Sequence, residues 1–218
     1  DRQVKKVFEL IKKAEPDLIV ATGDIVDGNI SHFDGVSSIL REMEPSLGMI
    51  AIPGNHEHYV GLGQSRLFLE KSGFRFFRGE GVAVGDRLWV VGLDDPAAGR
   101  FGEFHDVEQR LLAAAPADRF VLLLKHRPVV DKDSAGRFDL QLSGHVHKGQ
   151  IAPFNLLTWI QFPVRAGLSR LTKSSLLYVS RGTGTWGPPM RFLAPPEVTV
   201  IDIVPTSTSS AARSGPSF

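Results

Sequence analysis

Residues 4–24, VKKVFELIKKAEPDLIVATGD, decide the fold class. Val4, Val7, Phe8 and Ile11 recur at i, i+3, i+4 and i+7, which predicts a helix with one apolar stripe, stopped by Pro16. The following LIVATGD reads as a short buried strand that ends on Gly23 and Asp24. A helix that feeds a strand is half of an α/β unit, and the unit recurs. Val36, Ile39, Leu40 and Met43 repeat the helical spacing before Pro45 and GMIAIPGNHE (48–57), and QSRLFLEKSG (64–73) precedes FRFF (74–77). VAVGDRLWVVGLDD (82–95) predicts a hairpin turning at Gly85 and Asp86, followed by a helix near 106–114 and a buried strand in FVLLLKH (120–126). DLQLSGHVH (139–147), SLLYVSRGTG (175–184) and EVTVIDIV (197–204) read mainly as strand and turn. Alternating units followed by strand-rich sequence favour a layered α/β fold with a mixed sheet.

Composition narrows the classes of function. The 218 residues, 42% of them hydrophobic, suffice for one large domain. Lys plus Arg (25) nearly cancel Asp plus Glu (24), so no charge surplus marks a duplex-binding surface and no nucleic-acid partner is indicated. The absence of cysteine excludes disulfides and thiolate metal sites without fixing a compartment. We expect one domain over 1–204 and a disordered polar tail over 205–218, PTSTSSAARSGPSF.

The apolar runs share a habit: each delivers a ligand-type side chain at its carboxyl end. LIVATGD ends on Asp24, MIAIPGNHE on Asn55, His56 and Glu57, VLLLKH on His126, and LQLSGHVH on His145 and His147. Ligands bind outside the carboxyl ends of the strands in α/β sheets. Singly, Asp24 and Asn55 also read as turn residues and His126 as a core histidine. Four converging strand ends make a site.

In this order TGDIVDG, PGNHE, KHRP and SGHVHKGQ resemble the successive motifs of calcineurin-like metallophosphoesterases, over most of 1–204. The ending GTGTWGPPMRFLAPPEVTVIDI is similar to a bacterial phosphodiesterase branch of that superfamily, many of whose members are attached to membranes. The resemblance implies a four-layer αββα sandwich, two mixed β-sheets flanked by helices, with a dinuclear metal centre at the strand ends. It implies that Asp24 bridges two divalent ions, that Asn55, His126 and His145 complete one position, that His147 binds the other, and that His56 is the catalytic histidine. Oxygen and nitrogen donors without thiolate suit manganese, iron, zinc or nickel. Arg127, beside His126, is a candidate substrate contact because guanidinium forks suit phosphate. Asp27 and Gly28 are expected to shape a turn, Glu57 to orient its neighbours, Gly182 and Gly184 to let backbone approach the site, and His32, His58 and His105 to lie at rim or surface.

The family also carries an Asp-x-His motif on its first strand, and no such triplet precedes Asp24 here. The expectation is therefore a domain lacking its first strand, with one complete metal position and weak or no activity in this chain. Beyond the histidine pair, IAPFNLLTWIQF (151–162) is too short to cross a bilayer and reads as a core helix or as an interfacial patch for a lipid-linked phosphoester. Two functions from different classes remain: metal-dependent hydrolysis of a phosphodiester or pyrophosphate, and a non-catalytic metal- or phosphate-binding domain with a degenerate or truncated site.

Overall fold

The computed structural model describes residues 2–26, 34–99, 103–147, 164, 166–185 and 191–205. The expectations for Asp27, Gly28, His32, the apolar segment 151–162 and the tail beyond residue 205 fall outside the described residues.

The first apolar stripe becomes α1 (Arg2–Ala14) and feeds β1 (Ile19–Ala21). The next two units give α2 (Asp34–Arg41) with β2 (Met49–Ala51), then α3 (Asn55–Val60), α4 (Leu62–Lys71) and β3 (Phe74–Phe76). These three strands form a parallel sheet in the order β1-β2-β3. The hairpin β4 (Glu80–Val84) and β5 (Leu88–Gly92) opens a second sheet, with α5 (Glu103–Ala113), β6 (Phe120–Leu124), β7 (Leu140–Ser143), β8 (Gly167–Arg170) and β9 (Leu176–Val179) following in the chain. The order is β4-β5-β6-β7-β9-β8: β5, β6, β7 and β9 are parallel, and the two edge strands are antiparallel to their neighbours. This is the mixed member of the pair.

Strand periodicity sorts the core into layers. In β2 and β3, Met49, Ala51, Phe74 and Phe76 turn one way and pack with Phe8 of α1, Leu40 of α2 and Phe68 and Leu69 of α4. Ile50, with Ile52 and Phe77 beyond the strands, turns the other way and meets Val90, Leu122, Leu124 and Leu140 of the second sheet. The far face of that sheet offers Val91, Val121 and Leu123 to Leu112 of α5. The result is helices, sheet, sheet, helix, the four layers expected.

Two local expectations change. Residues 55–60 form the short helix α3, opening at Asn55, which taken singly reads as a turn residue. EVTVIDIV forms no strand: 197–204 pair with no sheet among the described residues, and Val200 and Val204 are 61% and 74% exposed. Alternation makes a strand only where a neighbouring edge accepts its hydrogen bonds.

Candidate metal centre

The carboxyl ends of β1, β2, β6 and β7 bring the candidate residues together. Asp24 follows β1 by three residues, Asn55 and His56 open α3 after β2, His126 stands two residues past β6, and His145 two residues past β7. Ligand atoms of Asp24, His126 and His145 all lie within 4.8 Å of one another. His126 is the hub. Its Nδ1 donates to the Thr22 carbonyl at 2.7 Å, which leaves Nε2 to face Asp24 Oδ2 at 3.1 Å, Asn55 Oδ1 at 3.2 Å and His145 Nδ1 at 3.1 Å. The His126 and His145 rings meet edge to face, 4.9 Å between centroids.

This donor set fits a cation. The Asp24 and Asn55 oxygens only accept, so one positive charge at the centre, a proton on His126 or a divalent ion, satisfies the group. The carbonyl behind His126 fixes the tautomer that offers Nε2, as a partner behind a ligating imidazole does. Electrostatics prepares the same atoms. Burial pushes the Asp24 carboxyl up, but the hydrogen bond and charge of His126 with the His56 backbone N–H prevail and hold it at about 2. Burial, then the charges of His126 and Arg127, press His145 down to about 4, so its ring is neutral at physiological pH. Burial opposes the charge on His126, yet the hydrogen bond and charge of Asp24 raise it overall.

The backbone beneath the site is held by Glu57, whose residue is fully buried. One carboxylate oxygen accepts from the N–H of Asp24 at 2.8 Å and of Gly54 at 2.7 Å, the other from Ile25 at 2.8 Å and Val26 at 3.0 Å. One side chain thus satisfies four backbone donors and locks the loop after β1 to the start of α3. Asp24 Oδ1 returns the link by accepting from His56 N at 3.0 Å. Gly54 is required because an added Cβ would overlap the Asp24 carboxylate and lie 2.7 Å from His126 Cε1. The loops are strained as well. Asp24, His145 and His147 have φ of 55°, 68° and 44°, the left-handed region that costs a non-glycine residue about 1–2 kcal/mol.

His56 is half-buried at the rim, its ring 6.0 Å from that of Tyr59 between centroids. His147 lies outside the three-residue grouping; its Nδ1 accepts from Arg191 Nη2 at 3.0 Å, and burial and the Arg191 charge lower its pKa. Arg127 is held at the edge by Asp95, which takes its Nε and Nη2 at 2.9 Å each. His58 pairs with Asp94 at 2.8 Å, and His105 is exposed beside Asp131 and Asp133 in a surface grouping unconnected with the strand ends.

Sequence reasoning missed Asp94, Asp95 and Arg191. The two acids carry the signal used for the other strand ends, since GLDD closes β5 with ligand-type residues; Arg191 carries none, because its contact depends on how a distant segment docks.

A family model described as calcineurin-like phosphoesterase matches residues 1–149. The chain belongs to that family. Membership implies metal-dependent hydrolysis of phosphoesters. An uncharacterized metallophosphoesterase of Aquifex aeolicus is 42% identical over 204 residues, covering 92% of this chain and 76% of that protein. The metallophosphoesterase YkuE of Bacillus subtilis is 34% identical over 216 residues, covering 94% and 73%. A zebrafish (Danio rerio) transmembrane protein with metallophosphoesterase domain is 30% identical over 214 residues, covering 91% of this chain and 48% of its own length. Some relatives are therefore far longer, and the chain spans 55% of one from Helicobacter pylori. Among solved structures, a 5'-nucleotidase precursor from Thermus thermophilus shares the fold at a TM-score of 0.51 and 17% identity, covering 83% of this chain and 42% of that one.

Proposed function

We propose that this chain is the catalytic core of a phosphodiester or pyrophosphate hydrolase with a dinuclear metal centre. In this reading Asp24, Asn55, His126 and His145 hold one divalent ion, Asp24 also reaches the second, and His147 serves the second. The observation that carries it is the meeting of three donor atoms around His126 Nε2 within 3.2 Å, behind a tautomer fixed by Thr22. Bound divalent ions supply Lewis-acid charge against the phosphoryl oxygens and make water nucleophilic near neutral pH. The chain's own residues do the rest. Glu57 and Thr22 hold the donors in place. His56, tied to Asp24 through its backbone N–H and with its ring at the rim, donates a proton to the leaving alkoxide. Arg127, fixed by Asp95, adds positive charge at the edge where an anionic substrate arrives.

The test is a paired measurement with Mn²⁺ on protein that includes the chain's natural flanking sequence: bound metal, and hydrolysis of bis(p-nitrophenyl) phosphate. His56→Ala should lose turnover while keeping its metal, and Asp24→Asn should lose both. A His56→Ala protein that no longer binds metal would overturn the assignment of His56. One observation favours the non-catalytic alternative: His147 is engaged by Arg191 rather than by the Asp24 group. Metal binding with no hydrolysis in protein that includes the chain's natural flanking sequence would select it. The lipid-linked form of the substrate rests on the composition of 151–162; failure of the folded protein to float with anionic vesicles would remove that refinement alone.

A further inference from the structure

His147 turns its Nδ1 to a side chain that is itself built into place. Arg191 Nε donates to the Gly184 carbonyl at 2.7 Å, Nη2 donates to the same oxygen, and Nη1 donates to the Ala194 carbonyl at 3.1 Å. The segment carrying Arg191 is tied to the loop after β9. Glu197 N donates to the Gly182 carbonyl at 3.0 Å, and the Glu197 carboxylate accepts from Arg181 N at 2.9 Å and the Tyr178 hydroxyl at 3.1 Å. Gly182, at φ 74°, lets this loop close on the pair: an added Cβ would stand 3.4 Å from the His147 ring and 3.7 Å from Arg191 Nη2.

We propose that Arg191 is a positioning residue that acts through His147 and holds the centre in a one-ion state. Its guanidinium occupies the His147 lone pair and places a fixed positive charge where a second divalent ion would need that lone pair. The inference rests on the metal role proposed for Asp24, Asn55, His126 and His145. Arginine keeps its proton and has donors only, so it cannot share Nδ1 with a cation. With Nδ1 accepting, the neutral ring carries its hydrogen on Nε2, and neither nitrogen is open to a metal. A second ion therefore binds at His147 only when Arg191 withdraws.

Titration with Mn²⁺, followed by calorimetry and by the electron paramagnetic resonance signal of coupled Mn²⁺ pairs, tests this without any assay of activity. Wild-type protein that includes the chain's natural flanking sequence should bind one ion tightly and give no coupled-pair signal. Arg191→Met and Arg191→Gln should bind a second ion on the order of tenfold or more tightly than wild type, the removal of an adjacent like charge being the cause. The coupled-pair signal should appear with it and vanish in the Arg191→Met/His147→Ala double variant. Arg191→Lys, which keeps charge and a donor, should behave as wild type. Arg191→Gln keeps an amide donor for the Gly184 carbonyl and so serves if the Met variant does not fold. Unchanged second-ion affinity in a folded Arg191→Gln protein, an equal gain in Arg191→Lys, or loss in His147→Ala of an ion that wild type holds tightly would each overturn the proposal. No tight ion in any of these proteins would instead overturn the metal centre itself, and this inference with it.

Discussion

The two imidazoles of the 145–147 loop stand one residue apart and meet opposite surroundings. His145 points Nδ1 at His126 Nε2, 3.1 Å away in the group that Asp24 shares. His147 points Nδ1 at a guanidinium that never gives up its charge. Both residues have left-handed backbone and both are pressed toward the neutral ring. The difference teaches that residue type and spacing nominate a ligand, whereas the tertiary structure decides which group its lone pair faces.

The sharpest way to break the comparison is at Asp24, which the proposed function assigns to both ions. Asp24→Asn should weaken Mn²⁺ binding by more than the roughly 100-fold upper range seen for outer partners of a metal site, measured by calorimetry. Next is the support beneath it. Glu57→Gln turns an amide toward backbone N–H groups that require an acceptor; leaving two of them unpaired costs on the order of 3 kcal/mol, which urea denaturation of the metal-free protein would show.

A third prediction uses pH. A divalent ion must displace the proton that Asp24 holds on His126, so Mn²⁺ affinity should fall as pH drops below the raised His126 pKa, by up to about tenfold per unit. In the metal-free protein the raised His126 contributes stability that is complete below the ordinary value of 6.5 and lost as pH rises through its folded pKa. The lowered His145 costs stability as pH falls from 6.5 toward 4. Resistance to thermal unfolding in chelator should therefore peak near pH 6.5, and added Mn²⁺ should stabilise more on the alkaline side than on the acid side. The smallest effect is expected at His147, where replacement by Ala should move the affinity for the first Mn²⁺, held by Asp24, Asn55, His126 and His145, by less than about twofold, within the roughly 0.5 kcal/mol scatter of uncoupled substitutions. A large loss there would erase the distinction between the two imidazoles.

Much of this was legible beforehand because the signals were local. The apolar stripe of Val4, Val7, Phe8 and Ile11 led to α1, the continuous apolar run FVLLL read as the buried strand that became β6, and Gly85–Asp86 marked the hairpin. The positions of Asp24, Asn55, His126 and His145 at strand ends followed from the same patterns. Helix α3 was hidden because its six residues are too few for a periodicity, and its start rests on the Glu57 carboxylate reaching back to Gly54. EVTVIDIV misled for the opposite reason: its alternation is clear, but pairing depends on an edge elsewhere.

The sequence by itself determined the layers, the strand ends and the kinds of atom offered there, since these depend on side-chain period and residue chemistry within a few positions. Only the tertiary structure decided which group each lone pair faces. Thr22 behind His126, Glu57 beneath Asp24 and Arg191 against His147 are contacts between segments 104, 33 and 44 residues apart, and no local pattern encodes a meeting at that distance.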